Sequence, residues 1–185
     1  MQSQDLDQSK NRMEKAIQNL EEEFNTIRVG RANPHVLDRI TVDYYGTMTP
    51  LNQVGNISVP EPRMLMIQPW DASMVKAIEK ALNASELGIH PTSDGKVIRL
   101  VFPELTEEKR KETSKEVKKK GEAAKVAIRN IRRDMMDSLK KQKKDNEITE
   151  DDQKDLEEKL QKMTDEFIKK VDQRVEVKTK EVMAI

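Results

Sequence analysis

Val117-Lys-Lys-Lys-Gly-Glu-Ala-Ala-Lys-Val-Ala-Ile-Arg-Asn-Ile-Arg-Arg-Asp-Met-Met-Asp-Ser-Leu139 places apolar or small residues at 117, 121, 124, 128, 131, 135 and 139. Steps of three and four put them on one narrow stripe of a helix, the seam of a bundle or coiled coil. The flanks are strongly charged, so the helix cannot bury its stripe alone and needs partner helices. The same stretch carries Arg129, Arg132 and Arg133 at i, i+3 and i+4. Their guanidinium groups can therefore share one helix face. An arginine on such a face usually answers an acid four residues before it, but here those positions hold Lys125, Ile128 and Arg129. Without that local neutralisation, the planar forks suit an external anion such as a nucleic-acid phosphate.

Outward from this stretch the helix texture continues in both directions. Thr106 is placed as N-cap, with Glu107 and Glu108 in the first turn, where the helix dipole favours acids. Lys140, Lys141, Lys143 and Lys144 suit the other end, which makes the helix roughly 60 Å long at 1.5 Å per residue. Asp145-Asn146-Glu147 reads as a turn, and Thr149 as the cap of a further helix. That helix has the seam Leu156, Leu160, Met163, Phe167, Val171, Val175 and Val182. Near the N-terminus, Met13, Ile17, Leu20, Phe24 and Ile27 repeat with the same spacing, so a helix is expected from about Ser3 to Val29. Gly30 is expected to end it, and Pro34 to keep it from resuming.

Residues 31–104 differ in texture. All seven prolines, from Pro34 to Pro103, lie there. Ile40 to Tyr44 alternates with period two and runs into Gly46, a strand and a turn, and Met48 to Val54 is expected to pair back on it. Met64 to Ile67 is a short apolar strand closed by Pro69. Ser73 is the expected cap of a short helix over Met74 to Ala84, with Val75, Ile78 and Leu82 inward. Ser93-Asp94-Gly95 is a turn, and Val97 to Phe102 the last strand. Tyr44 and Tyr45 are expected to pack this small unit rather than stack on bases.

The expected architecture is α+β in two domains. Residues 1–30 and 105–185 form an antiparallel three-helix bundle, and residues 31–104 form an inserted β/α/β domain. The chain crosses between them near Gly30 and again at Pro103, Glu104 and Leu105, a two-stranded hinge.

Composition narrows the function. Lys and Arg number 34 and Asp and Glu number 34, so nucleic-acid binding has to come from a local patch rather than a global field. There is no cysteine for disulfide or thiolate chemistry. The two histidines, His35 and His90, sit beside turn and proline signals, where surface or packing roles outweigh general-base ones. No phosphate loop, Gly-rich dinucleotide turn or zincin helix occurs, which argues against an enzyme. Met-Gln-Ser-Gln-Asp-Leu-Asp has no signal-peptide character and no apolar run could span a bilayer, so a cytoplasmic protein is expected. Two other readings fit the helices: an RNA-binding or RNA-chaperone protein, and a structural coiled coil. The Pro-punctuated insert interrupts any continuous rod and argues against the latter.

Several blocks, in one order, resemble bacterial ribosome recycling factor over essentially the full chain. They are Ile27-Arg-Val-Gly-Arg-Ala-Asn-Pro34, Val42-Asp-Tyr-Tyr-Gly46 with Thr49-Pro-Leu51, Pro69-Trp-Asp71, Asp94-Gly95 with Ile98-Arg-Leu100, and Leu105-Thr-Glu-Glu108. Lys125 to Asp134, Ile148 to Asp152 and Gln161-Lys-Met-Thr-Asp165 complete the set. The resemblance implies an L-shaped molecule the size of a tRNA, with the bundle and hinged insert described above. It implies a factor that binds the 70S ribosome after termination. With elongation factor G and that partner's GTP hydrolysis, the factor drives the subunits apart. Its helical domain would rest on large-subunit ribosomal RNA near the inter-subunit bridges, and its small domain would face the small subunit and the translocase. Matched by motif, Arg28, Arg31, Arg129 and Arg132 correspond to the family's RNA-contacting arginines, and Arg133, on the same face, is a candidate with them. The expected protein is a monomer with no cofactor and no membrane association.

Overall fold

The computed structural model describes residues 2–184; Met1 and Ile185, the outer limits of the expected bundle, lie outside them. Three long helices carry most of the chain: α1 (Gln2–Thr26), α3 (Glu107–Lys144) and α4 (Glu150–Met183). Between the first two lie six short strands, β1 (Thr41–Tyr44), β2 (Thr47–Pro50), β3 (Gly55–Glu61), β4 (Met64–Pro69), β5 (Thr92–Ser93) and β6 (Ile98–Val101), with helix α2 (Val75–Ala84). The chain divides into two compact units. Of the described residues, one holds 2–24 and 114–180 and the other 25–113 and 181–184. The crossings expected at Gly30 and Leu105 thus fall inside the second unit, which takes in the adjoining ends of the long helices.

In the first unit most of the expected seam residues are buried, but Ile17, Met163 and Val175 are only half-buried, and Thr164 and Lys178 of α4 are buried instead. Met13, Leu20 and Phe24 on α1, Val117, Ile128, Met135 and Leu139 on α3, and Leu160, Phe167 and Val171 on α4 are each at most 5% exposed. Side-chain pairs show the helix directions. Asp5 meets Gln142, Arg12 meets Asp134 and Glu23 meets Lys120, so residue numbers fall along α3 as they rise along α1. The two helices are antiparallel. Lys125 with Asp172 and Arg132 with Gln161 show the same for α3 and α4. Glu21 with Arg174 then joins α1 to a helix running parallel to it, the up-down-up order of a three-helix bundle.

The caps follow from the sequence. Thr106 Oγ1 accepts the Lys109 amide at 3.2 Å. Thr149 and Asp152 close a reciprocal box, each side chain accepting the other's backbone N–H, at 3.1 and 3.0 Å. Between α3 and α4, Asn146 adopts φ +57°, the left-handed conformation that ends a helix. Helix α1 departs from expectation. It stops at Thr26, four residues before Gly30, and Gly30 does not take the left-handed φ of a glycine cap. Arg28 instead leaves the helical path to pack on Phe102, so tertiary packing outweighs the apolar period that runs on through Ile27.

In the second unit, β1 and β2 form a hairpin with Tyr44 opposite Thr47. The two turn residues, Tyr45 and Gly46, have φ +49° and +86°, both positive as a type I′ turn requires. The expected return strand is shorter than Met48 to Val54: it ends at Pro50 and gives way to a single 3₁₀ turn. The main sheet runs β3-β4-β6-β5, all antiparallel. Alternation puts Leu65, Ile67, Ile98 and Leu100 on its inner face, all fully buried, where α2 lays Val75, Ile78 and Leu82 against the same core. Each such side chain contributes about 1.5–3 kcal/mol by leaving water. Strands β3 and β5 went unforeseen. β3 is an edge strand that carries Pro60 beside its register shift between Ser58 and Glu61, the place where a sheet tolerates proline. The helical segment after β4 is capped by Asp71 rather than Ser73. The Asp71 carboxylate accepts the Ser73 amide at 2.9 Å and the Ser73 hydroxyl at 2.7 Å, so a carboxylate outcompetes the hydroxyl that it also binds.

Candidate nucleic-acid interface

Helix α3 sets the first group of arginines. Ile128, Ile131 and Met135 turn inward, which leaves Arg129 and Arg133 exposed and Arg132 half-buried at the edge of the seam. Among the described residues, no carboxylate lies within ion-pair distance of any of the three. Arg132 instead donates from Nη1 to Gln161 Oε1 of α4 at 3.0 Å. Gln161 Nε2 in turn donates to Asp165 Oδ1 at 2.8 Å, one helical turn on.

The neighbouring charges are spoken for. Lys125, which opens this block in the sequence, is only 15% exposed and pairs with Asp172 of α4 and with Glu122 at 3.3 Å. The hydrogen bond to Asp172 holds its pKa above the ordinary lysine value. It therefore serves the α3–α4 contact and is lost to the positive surface. Asp134, the first acid after the block, is drawn to Arg12 of α1 at 2.8 Å. The helix face thus keeps a small, unneutralised arginine group on a chain whose formal charge is zero.

Arg28 and Arg31 belong to the second unit. The Arg28 guanidinium lies 5.9 Å from the Phe102 ring centre, and its Nη2 donates to the Pro103 carbonyl at 3.4 Å. Its Nε is buried with no partner, and burial lowers its pKa from the usual arginine value. Arg28 therefore ties the segment after α1 to the segment after β6. Two backbone bonds reinforce the place, Ala32 N–H to the Pro62 carbonyl at 2.8 Å and Phe102 N–H to the Arg63 carbonyl at 2.7 Å. Arg31 is exposed and lines a cleft of about 660 Å³ with Arg63, Glu104, Leu105 and Arg110. Within it Arg63 pairs with Glu104 at 3.0 Å. Among the hinge candidates, Gly30 has open space where a β-carbon would stand, and Leu105 is buried.

The tyrosine pair divides. Tyr44 packs against the core of the second unit, but Tyr45 is 77% exposed, because the positive φ of the turn aims it outward. Its hydroxyl donates to Asp71 at 2.6 Å, and Trp70, the next residue back, is also exposed. His35 pairs with Asp38 at 3.0 Å and His90 with Asn83 at 3.1 Å, both on the surface. Among the described residues, no group of three or more metal-ligating side chains converges, and no helix is long and apolar enough to cross a membrane. Sequence reasoning had no role for Gln161 and Asp165. Their i, i+4 spacing on one helix was visible, but the meeting with Arg132 depends on the α3–α4 register.

The fold defines the class: an α+β protein in which a three-helix bundle is interrupted by a small unit built on antiparallel strands. The ribosome recycling factor family model matches residues 20–183. The ribosome-recycling factor of Agathobacter rectalis is 61% identical over 180 residues, covering 97% of this chain and 98% of that one. That of Caldicellulosiruptor bescii is 61% identical over 174 residues, covering 94% and 95%. A solution structure of ribosome recycling factor superposes with a TM-score of 0.82 at 38% identity, covering 100% of this chain and 98% of that one. A second structure matches with a TM-score of 0.68 at 41% identity and covers both chains completely. It describes the T. thermophilus ribosome recycling factor and E. coli elongation factor G bound to the E. coli post-termination complex. The chain belongs to the ribosome recycling factor family.

Proposed function

We propose that this chain is a translation factor that recycles ribosomes after termination, splitting the post-termination complex into subunits together with elongation factor G and GTP. Family membership over nearly the whole length carries this reading. The bundle binds large-subunit ribosomal RNA through Arg129, Arg132 and Arg133, whose unneutralised face on α3 supports the assignment. Arg31, exposed in the second unit, adds a further phosphate contact. Arg28, half-buried, contributes by holding the connecting segments through Phe102 and the Pro103 carbonyl.

The chain is not itself an enzyme: nucleotide chemistry belongs to the partner, and this protein acts in the cytoplasm as a monomer. Gly30, Pro103, Glu104 and Leu105 form the hinge between a 1–30 and 105–185 bundle and a 31–104 insert. Residues 27–33 and 102–106 fall in neither a long helix nor the main sheet, which suits that role. The bundle anchors, and the translocase pushes on the insert.

Co-sedimentation separates this reading from that of a generic RNA-binding protein. The protein should pellet with 70S ribosomes at salt concentrations that release it from an unrelated duplex RNA. Equal retention on both would favour the RNA-chaperone reading.

A further inference from the structure

Arg132 differs from four other basic side chains that cross between the bundle helices. Arg12, Lys120, Lys125 and Arg174 each meet a carboxylate of a neighbouring helix: Asp134, Glu23, Asp172 and Glu21. Arg132 meets an amide. The donor and acceptor inventory makes the arrangement one-directional. A guanidinium can only donate and a carboxylate can only accept. Gln161, placed between Arg132 and Asp165, has to turn its oxygen to the arginine and its NH₂ to the acid, as found at 3.0 and 2.8 Å. The carboxylate thus sets the orientation of the amide, and the amide sets the position of the guanidinium. Arg132 spends one N–H on this bond and keeps its charge and its other four donors.

The geometry points to Gln161 and Asp165 as positioning residues that hold the Arg132 guanidinium ready for an RNA phosphate without neutralising it. This rests on the reading of Arg132 as a ribosome contact. A long arginine side chain loses rotamer freedom when it binds, and a preformed bond meets part of that cost before the phosphate arrives. A glutamate at 161 would hold the arginine more firmly, but as an ion pair that competes with phosphate for the same fork. It would also place a second negative charge next to Asp165. The amide is therefore the side chain that orients without competing. Gln161 and Asp165 are solvent-exposed, so the contribution of the network to fold stability is slight.

The test uses the full-length protein, purified large ribosomal subunits and a salt series, with thermal unfolding alongside. Arg132→Ala reports on the underlying reading. It should weaken binding and lower the salt slope by about 1. Gln161→Glu reports on the inference. It should weaken binding by about as much as Arg132→Ala, on the order of threefold to tenfold, with an unchanged or higher melting temperature and no further loss in the Arg132→Ala background. Asp165→Asn, whose amide no longer dictates which way Gln161 points, should give a smaller loss of the same kind. Weak binding by Arg132→Ala with wild-type binding by Gln161→Glu would overturn the inference alone. Wild-type binding by Arg132→Ala would remove the reading of Arg132 and the inference with it.

Discussion

Gly121 of α3 and Val175 of α4 share one volume: Val175 Cγ2 fills the space that a β-carbon at position 121 would need. An interior glycine costs a helix about 1 kcal/mol relative to alanine. Here that cost admits a closer approach of the two helices at the seam.

On helix propensity alone, Gly121→Ala should stabilise the bundle. The contact with Val175, a β-branched side chain with little rotamer freedom, reverses the sign, since overpacking costs about 1–3 kcal/mol. The melting temperature of Gly121→Ala should fall, and Val175→Ala should recover part of the loss in the double variant. A rise in the single variant would show that α3 and α4 do not meet closely at this point.

Arg28 and Arg31 sit three residues apart and should behave differently. Arg28 lies over Phe102 and donates to the Pro103 carbonyl, whereas Arg31 is exposed. Arg28→Ala should destabilise the protein by about 1–2 kcal/mol, from the lost ring contact and charged hydrogen bond. Arg31→Ala should stay within about 0.5 kcal/mol, as is usual for surface changes. Thermal unfolding of the pair checks this, and equal melting temperatures would contradict it.

Asp94 gives the second unit an acid-sensitive turn. Its carboxylate accepts the backbone N–H groups of Val97 and Lys96 and a bond from Arg99, which lowers its pKa to about 2. A folded-state value below the unfolded one near 3.8 means that the charged form stabilises the fold. The contribution is fully present above about pH 4 and is lost as the pH falls toward 2. Asp94→Asn should lower stability at neutral pH and flatten the pH dependence in that window. A titration of unfolding midpoints identical to that of the wild type would defeat the assignment.

The proposed function leaves nucleotide chemistry to the partner, and the sequence contains no phosphate loop. Calorimetry of the purified protein with GTP should give no binding heat. Stoichiometric binding would reverse the assignment.

The three long helices were legible because their stripes are narrow and regular, and because Thr106 and Thr149 stand where caps are needed. The end of α1 was not, since Ile27 continues the apolar period while Arg28 is drawn to a ring 74 residues away in sequence. β3 was hidden by its own composition: Ser58 and Pro60 break the alternation on an edge strand that does not need it. β5 spans two residues, too short to leave a pattern. The arginine group on α3 could be read from spacing alone. Its surroundings could not, because Gln161 lies 29 residues from Arg132 and Asp172 farther still from Lys125, and each pair forms only once the helices pack antiparallel.

Subunit splitting tests the central claim most directly. Post-termination 70S ribosomes carrying mRNA and deacylated tRNA would be mixed with this protein, elongation factor G and GTP, and followed by light scattering. The account predicts rapid loss of the 70S signal only when all three are present, with Arg132→Ala slowed at limiting protein concentration. Unchanged 70S ribosomes in the complete mixture, or splitting at the same rate without this protein, would contradict it.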